Sequence, residues 1–271
     1  MPIRRTFKEK TIVITGAAGG LGAAFARRFG RAGGKIAMLD LKREEVVRGA
    51  EELRAEGIDA LPLVCDVSDP ESVVTAMEAI MNHFGGVDVL INNAGIAARA
   101  AFAQTQLKVF HTVMGVNFFG ALYCTRACLG SLVRRRGVLI VISSLAGFSP
   151  LLGRTAYAAS KHALHGLFDS LRSELRGTGV GVLVVCPGFT ATGIATAALD
   201  GDGSITRHPQ STAGNPATPA EVAEAVYQAA IRNKRLLILS RIGRLGRFIH
   251  KVWPSLYEWL MVRSMRAELE R

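Results

Sequence analysis

Short apolar runs alternate with longer amphipathic stretches through most of this 271-residue chain. The runs are apolar at successive positions rather than at every second one, which is typical of strands buried on both faces of a parallel sheet. The intervening stretches carry helical periodicity, for example at 21–32, 43–56 and 70–84. The pattern predicts strands at 11–15, 35–40, 61–65, 87–92, 138–143, 180–186 and 236–239.

Strand–helix–strand repetition of this kind predicts an α/β fold, a doubly wound parallel sheet (Rossmann-like) of about seven strands with helices on both faces. We expect residues 1–240 to form a single domain and residues 241–271 to form a basic amphipathic extension. The stretch 188–219 is rich in Gly, Ala, Thr and Ser and has little periodicity. A loop of that length in a compact domain is usually functional, and we expect it to fold over a substrate.

The composition excludes global disorder, because 49% of the residues are hydrophobic and only 20% are charged. No apolar segment of a secretory signal follows the basic N-terminus, and no uninterrupted apolar run reaches the roughly 20 residues that span a bilayer. We therefore expect a cytoplasmic protein. Its four cysteines show neither CxxC spacing nor a neighbouring histidine cluster, so we expect reduced core residues and no metal site: Cys65, Cys124, Cys128 and Cys186.

The net charge of +11 is concentrated at the C-terminus. Residues 231–271 hold ten basic and three acidic residues, a net of +7, which leaves +4 for the first 230 residues. A basic tail on a nearly balanced body argues against a nucleic-acid partner, since no recognition motif accompanies the charge. It indicates a local contact with something anionic.

A glycine-rich turn, TGAAGGLG at 15–22, separates the first predicted strand from the first predicted helix. Glycines there let backbone N–H groups approach a pyrophosphate at the helix N-terminus. Asp40 ends the second strand, 24 residues after Gly16. A carboxylate there accepts hydrogen bonds from the adenine ribose and repels a 2′-phosphate, which favours NAD over NADP. Lys42 and Arg43 are the alternative, a pair that turns toward a 2′-phosphate, although we interpret them as the solvated start of a helix.

Tyr157 and Lys161 stand four residues apart, on one face of a predicted helix. A nearby ammonium stabilises a phenolate and lowers the tyrosine pKa, so the pair is suited to proton exchange in an alcohol–carbonyl interconversion. Ser144 ends the fifth strand thirteen residues earlier. Because ligands of open α/β sheets bind at the carboxyl ends of strands, Ser144 should face the crevice of the glycine-rich turn.

Together these motifs resemble the short-chain dehydrogenase/reductase family over roughly residues 8–240. Further matches carry the resemblance: Asp66 in CDVSD, NNAG at 92–95, Asn117 in GVNFFG, ISS at 142–144, YAASK at 157–161 and PGFTAT at 187–192. The resemblance implies a dinucleotide-binding and catalytic domain whose cofactor is NAD, with NADP as the alternative. It is not specific for a substrate.

The resemblance also implies residue roles. Tyr157 would be the catalytic acid/base, Lys161 would lower its pKa and bind the nicotinamide ribose, and Ser144 would polarise the substrate oxygen. Asn117 would hold a water in a proton relay to Lys161. The implied cofactor contacts are Gly16, Gly19, Gly20, Leu21 and Gly22 at the phosphates, Asp40 at the ribose, Asp66 and Val67 at the adenine, Asn93 after the fourth strand, and Thr190 and Thr192 beside the nicotinamide.

Some of these residues have a purely structural alternative. Asn117 could cap a helix, and Asp66 could cap the third helix. We interpret Asn92 and Ser143 as structural residues. In the implied oxidation, the Tyr157 phenolate takes the hydroxyl proton while the nicotinamide accepts the hydride.

The predicted substrate segments are mostly apolar, which suits a lipophilic secondary alcohol or ketone of steroid, retinoid or fatty type. Within the loop no arginine precedes Arg207. The alternatives are an NADPH-dependent carbonyl or 3-oxoacyl reductase and a non-catalytic cofactor-binding scaffold. The apolar residues in question are Ile96, Ala97, Ala98, Ala100, Ala101, Phe102, Phe189, Ile194, Ala195, Ala197, Ala198 and Leu199.

Two contacts of the protein are left open. Basic, aliphatic and aromatic residues alternate at 241–263, so this segment either touches an anionic membrane peripherally or forms a subunit interface or a clamp over the pocket. Pro254 should divide it into two helices. The resemblance implies a homodimer or homotetramer that pairs through helices at 117–136 and 157–176. An apolar face for that pairing would come from Leu164, Leu167, Phe168 and Leu171.

Overall fold

A computed structural model describes residues 4–207 and 216–266 and contains a seven-stranded, all-parallel sheet in the order β3-β2-β1-β4-β5-β6-β7. The strands lie within two residues of their predicted positions, so the predicted fold class is confirmed. Their bounds are β1 Thr11–Thr15, β2 Lys35–Asp40, β3 Ala60–Val64, β4 Val89–Asn92, β5 Val138–Ile142, β6 Gly181–Cys186 and β7 Leu236–Ile238.

Helices cover both faces of the sheet. The apolar side chains of the sheet pack against these helices in two core clusters, one on each face. Inner strands β1, β4, β5 and β6 are buried at every position, as their continuous apolar runs predict. The helices in chain order are α1 Gly20–Gly30, α2 Arg43–Ala55, α3 Pro70–Phe84, α4 Leu107–Met114, α5 Gly120–Arg135, α6 Thr155–Glu174, α7 Pro219–Ile231, α8 Arg241–Val252 and α9 Pro254–Met265.

The strand order reverses direction at β1, which pairs with β2 on one side and β4 on the other. The chain therefore leaves β1 and β4 toward opposite sides of the sheet, and a crevice opens at their carboxyl ends. The turn after β1 and the loops after β4, β5 and β6 all start at this edge. The fold thus brings the predicted site motifs to one rim.

Helices α4 and α5 form one rod that is interrupted by a π-helical turn at Gly115–Phe119. The sequence analysis placed the start of this helix at residue 117, whereas it begins at Leu107. Leu107–Arg135 is long and apolar enough to cross a membrane by length and composition. Here, however, Cys124, Cys128 and Leu132 of this rod are packed in the core beside the sheet.

The predicted apolar pairing face of α6 is wrong for two of its four residues, Leu164 and Phe168, while pairing through Leu167 and Leu171 stays a prediction. Leu164 and Phe168 are almost fully buried against the sheet, and Leu167 and Leu171 pack partly against the same core. An amphipathic helix of this kind has one apolar stripe, and the sheet of the same chain covers it first. All four cysteines are unpaired and buried, as expected for reduced core residues.

Residues 241–266 form a helical hairpin beside the segment that follows β5. Pro254 is the first residue of α9, so the chain divides where proline was expected to divide it. On the inner side, a Cβ at Gly243 would collide with Leu145, and the Tyr257 hydroxyl lies 3.4 Å from the Pro150 carbonyl oxygen. The hairpin therefore packs against residues immediately after Ser144.

Candidate active site

The glycine-rich turn is fastened to the loop after β4. Thr15 Oγ1 accepts hydrogen bonds from the backbone N–H groups of Asn93 and Ala94, both at 3.0 Å. The Asn93 amide donates in return to the carbonyl oxygens of Thr15 at 2.9 Å and Gly16 at 3.0 Å. Asn93, which was predicted to be a cofactor contact, thus also fixes the shape of the turn.

The N-terminus of α1 is open in the way that a bound pyrophosphate requires. Gly19 caps the helix without any side-chain hydrogen bond, and no acidic residue stands in the first turn. Gly20 has φ +55°, while a Cβ at Gly19 would meet nothing within 4 Å. By contrast, a Cβ at Gly22 would collide with the Gly16 carbonyl oxygen, so Gly22 lets the helix approach the turn. The residues present therefore fit a dinucleotide phosphate group.

Asp40 lies at the end of β2 beside this turn. Its Oδ2 accepts the backbone N–H of Ala18 at 2.9 Å, and its Oδ1 accepts that of Lys42 at 3.2 Å. Lys42 points its ammonium at Glu45, 2.9 Å away, rather than toward the turn. The carboxylate of Asp40 is therefore the charged side chain that borders the turn at this strand end.

Asp66 does not cap the third helix. The cap of α3 is Asp69, whose side chain accepts the N–H of Glu71, whereas Asp66 accepts both the N–H and the hydroxyl of Ser68. Val67 is buried against Gly120 of α5. The capping alternative for Asp66 is thus wrong, and its role at the adenine stays a prediction.

Tyr157, Ser144 and Lys161 lie together where α6 passes the end of β5. Lys161 Nζ lies 5.6 Å from the centroid of the Tyr157 ring and donates to the Ile142 carbonyl oxygen at 3.0 Å. Ser144 accepts the N–H of Ala146, and its hydroxyl lies near enough to the Tyr157 phenol to lower the pKa of that phenol. A hydroxyl donor, a phenol and an ammonium therefore surround one position at the carboxyl edge of the sheet.

Burial shifts both titratable groups toward their neutral forms. It raises the pKa of Tyr157, although the Ser144 hydrogen bond and the positive charge of Arg154 oppose the shift. It lowers the pKa of Lys161 from 10.5 to about 8, because the ammonium is enclosed by protein. At neutral pH the cofactor-free site thus holds a protonated tyrosine beside a buried, charged lysine.

Asn117 is not a helix cap. It sits in the π-helical turn, where its amide donates to the Ile96 carbonyl oxygen and to Ser160 Oγ and its oxygen accepts the Ile96 N–H. Ser160 in turn donates to the Tyr157 carbonyl oxygen at 2.8 Å. Asn117 therefore ties the loop after β4 to the helix that carries Tyr157, and a π turn is a common feature of functional sites.

The segment after β6 lies over the glycine-rich turn. Atoms of the Thr192 side chain would be 3.4 Å from a Cβ at Gly20, and Thr190 pairs with Ala217 in an isolated bridge. Leu199 packs against the cluster that contains Ala98, and Ala198 is buried, whereas Ile194 is exposed. Part of the predicted loop, 208–215, lies outside the described residues.

Three residues at the site were not identified from the sequence. Ser160 lies within the YAASK motif, but its link to Asn117 spans 43 positions of the chain. Arg154 carries the positive charge that partly offsets the burial-driven rise of the Tyr157 pKa. Arg99 stands among the small apolar residues after β4 and is buried. A basic residue inside an apolar stretch was the available signal for Arg99.

The fold and the site define a dinucleotide-dependent oxidoreductase. The sequence profile of the family described as "short chain dehydrogenase" matches residues 10–202. The chain belongs to this family, and it is an enzyme that acts on CH–OH groups with a nicotinamide cofactor.

The relatives cover nearly the whole chain. It is 35% identical over 272 residues to dehydrogenase/reductase SDR family member 7B of Xenopus tropicalis, covering 97% of this chain and 87% of that one. The Drosophila melanogaster SDR family protein 7-like is 34% identical, with coverage of 98% and 83%.

Among solved structures, a Burkholderia phymatum short-chain dehydrogenase/reductase in complex with NAD matches with a TM-score of 0.84 and 25% identity, covering 93% of this chain and 96% of that one. A Thermococcus sibiricus alcohol dehydrogenase complexed with 5-hydroxy-NADP matches with a TM-score of 0.73 and 28% identity, covering 85% and 94%. These two proteins are bound to different nicotinamide dinucleotides.

Gly19→Ala tests the phosphate contact. The backbone at Gly19 is extended (φ −154°) and the space at its Cβ is open, so the free energy of unfolding should change by less than about 0.5 kcal/mol. The added methyl group should raise the Kd of NAD by roughly tenfold, about 1.4 kcal/mol, in a calorimetric titration. Gly22→Ala is the control, because its collision with Gly16 should lower stability. Unchanged NAD affinity in Gly19→Ala would contradict the assignment.

Lys161→Met tests the buried charge. The ammonium is charged below pH 8 in the folded protein and up to 10.5 in the unfolded chain, so its burial destabilises the fold at neutral pH. The variant should gain about 1–3 kcal/mol in the free energy of unfolding at pH 7, after the lost hydrogen bond is counted. This gain should shrink as the pH rises from 8 toward 10.5. Urea unfolding at several pH values measures it, with exposed Lys234→Met as control; a variant that is less stable at pH 7 refutes it.

Proposed function

We propose that this enzyme interconverts a lipophilic secondary alcohol and its ketone with NAD(H), and that Tyr157 is the acid/base. The observation that supports this most directly is the meeting of Ser144, Tyr157 and Lys161 where α6 passes the carboxyl end of β5. The alternative is an NADPH-dependent carbonyl or 3-oxoacyl reductase.

The preference for NAD rests on the charges at the end of β2. A 2′-phosphate would approach the Asp40 carboxylate, while Lys42, one of the two candidate cations, is paired with Glu45. That ion pair is exposed and therefore weak, so Lys42 supports the alternative only if it leaves Glu45. Asp40 favours NAD over NADP, because its carboxylate repels the 2′-phosphate of NADP in its present position.

The protein residues divide the work of the reaction. Bound nicotinamide supplies the hydride acceptor for oxidation or the hydride donor for reduction. Ser144 holds the substrate oxygen by a hydrogen bond, and Tyr157 exchanges the proton with that oxygen. Lys161 places a positive charge near the phenol, which favours the phenolate. Asn117 fixes the backbone on both sides of these groups.

A panel of secondary alcohols, graded from short and polar to long and sterol-like, tests the proposal with NAD and NADP in parallel. We expect NAD-dependent kcat/KM to rise with lipophilicity. Tyr157→Phe should lose about 10²–10⁴-fold in kcat, since it removes the proton acceptor. The NAD titration should be unchanged in that variant.

Three outcomes would count against parts of the proposal. Full turnover in Tyr157→Phe refutes the catalytic assignment. Higher kcat/KM with NADP favours the reductase alternative. Turnover of short polar alcohols alone refutes the lipophilic substrate class.

A surface next to the site supports a location at a membrane. On the α8–α9 hairpin, large apolar side chains project outward and each is more than half exposed: Ile242, Leu245, Phe248, Val252, Trp253 and Trp259. Four of them lie on α8, at positions that share one side of the helix. Exposed apolar patches of this kind mark a contact surface.

The charge of the hairpin indicates an anionic lipid surface as the occupant. Residues 241–266 contain six basic residues and one acidic residue. Arg244 and Lys251 are exposed on α8 beside the apolar stripe, and tryptophans are common in membrane interfaces. We propose that the enzyme is cytoplasmic and docks peripherally through this face. Docking there would bring a membrane-dissolved substrate close to the loop after β5.

Vesicle flotation tests the docking surface. We expect binding to mixed phosphatidylcholine–phosphatidylglycerol vesicles, weaker binding at high salt, and little binding to phosphatidylcholine alone. Replacing Leu245 and Phe248 together by Gln should reduce binding by at least about tenfold, since two apolar side chains no longer enter the interface. Val74→Gln, a change of an exposed apolar residue on α3, is the control. Absence of vesicle binding, with an oligomer that the double variant dissociates, would instead make the face a subunit interface.

A further inference from the structure

Arg99 is a buried cation for which the structure provides no negative partner. Its relative exposure is 8%, and among residues 4–207 and 216–266 it has no ion pair. Only Nη2 is hydrogen-bonded, to the Ala195 carbonyl oxygen at 2.8 Å. Nε and Nη1 are enclosed and have no acceptor among the residues that the structure describes. These two nitrogens carry three of the five N–H groups of a guanidinium.

A structural arginine in this protein looks different. Arg5 donates from all three nitrogens, to Asn233 and to the carbonyl oxygens of Arg136, Gly137 and Gly179. Arg172 likewise uses all three. Both are in contact with solvent as well, whereas the free donors of Arg99 are not. Since an unpaired buried charge is strongly destabilising, Arg99 is poorly explained as a structural residue.

Arg99 is hydrogen-bonded to the segment after β6, part of the loop that we predict to fold over the substrate. It follows β4 by seven residues, and its backbone N–H bonds to Leu199 in the segment after β6. The next residue, Ala100, bonds to the Gly153 carbonyl oxygen, four residues before Tyr157. The backbone at Arg99 and Ala100 is therefore held between the segment after β6 and the residues that precede the catalytic helix, within the stretch predicted to contact the substrate, and the guanidinium reaches Ala195 of the segment after β6.

We propose that Arg99 binds an oxyanionic group of the substrate, a carboxylate or a phosphate. The enzyme then acts on an amphiphile, with a secondary alcohol or ketone at Tyr157, an anionic group at Arg99 and an apolar remainder. Guanidinium donors match either oxyanion, and pairing removes the penalty of the buried charge. The inference deepens the proposed function and rests on it.

Binding at Arg99 requires a small movement of the loop. Its free donors are enclosed here, and Ala195 covers one side of the guanidinium. The neighbouring residues Ile194, Thr196 and Ala197 are exposed, so the segment next to the guanidinium faces solvent on its other side. An oxyanion that reaches Nη1 as the segment lifts would hold the guanidinium between substrate and loop.

The first experiment compares a secondary hydroxy fatty acid with its methyl ester. We expect the wild-type enzyme to prefer the acid by at least about tenfold in kcat/KM, through KM. Arg99→Met should abolish that preference and leave the ester within about threefold of wild type. Arg99→Lys should retain part of it. Arg207→Gln, which changes an exposed arginine of the loop after β6, is the control. Equal losses for acid and ester in Arg99→Met would mean a structural role and overturn the proposal.

The second experiment needs no turnover. Melting temperatures are measured with dodecanoate, dodecyl phosphate and neutral dodecanol. We expect one or both anions, but not dodecanol, to raise the Tm of wild type, and the preferred anion identifies the oxyanion. The rise should disappear in Arg99→Met. If it persists there, Arg99 is not the anion site. If the rise is lost but no alcohol is oxidised by wild type, the anion site stands and the proposed reaction fails.

Discussion

The arrangement of the molecule depends on seven strands that run in one direction through a sheet buried on both faces. Parallel strands can hydrogen-bond only if every connection returns across a face of the sheet, so polar chemistry is confined to the strand ends. The switch in strand order at β1 then opens one crevice where loops from β1, β4, β5 and β6 meet. Residues as distant as Thr15 and Asn93, or Gly95 and Lys161, are neighbours for this reason and not because of local sequence.

The same burial that builds the sheet adjusts its chemistry. Lys161 is placed against the end of β5, where its ammonium finds a carbonyl oxygen but little water. Its pKa falls to about 8, close to the pH at which a cell works. A lysine at the surface would stay charged without destabilising the fold. Solvent would screen its charge, however, so it would affect the pKa of a phenol only weakly. The site thus trades some stability for an electrostatic field at Tyr157.

Much of this could be predicted from the sequence, because the decisive signals are local. Continuous apolar runs specify buried strands, and motifs at their ends specify positions on the rim. Hydrogen bonds and packing contacts between residues far apart in the chain could not be predicted. Asn117 looked like a possible cap because Ile96 and Ser160, its partners, are 21 and 43 residues away. Leu164 and Phe168 looked like a pairing face, because a helical stripe does not say whether a sheet or another subunit covers it.

The burial of Arg99 is a second feature that could not be predicted from the sequence. In an apolar stretch a single arginine is usually a solvated side chain, and only the packing of residues 195–199 over it makes it a buried cation. This changes the expected substrate. An apolar pocket alone fits a neutral steroid or retinoid, whereas a pocket bordered by an unpaired guanidinium should bind an amphiphile with an oxyanionic group more tightly, since that group gives the charge a partner. The basic, apolar hairpin beside the pocket also fits an amphiphilic substrate. A molecule with an anionic group and a long apolar part resides at a membrane surface. At that surface the hairpin would contact lipid, and Arg99 would find an anionic partner in the substrate.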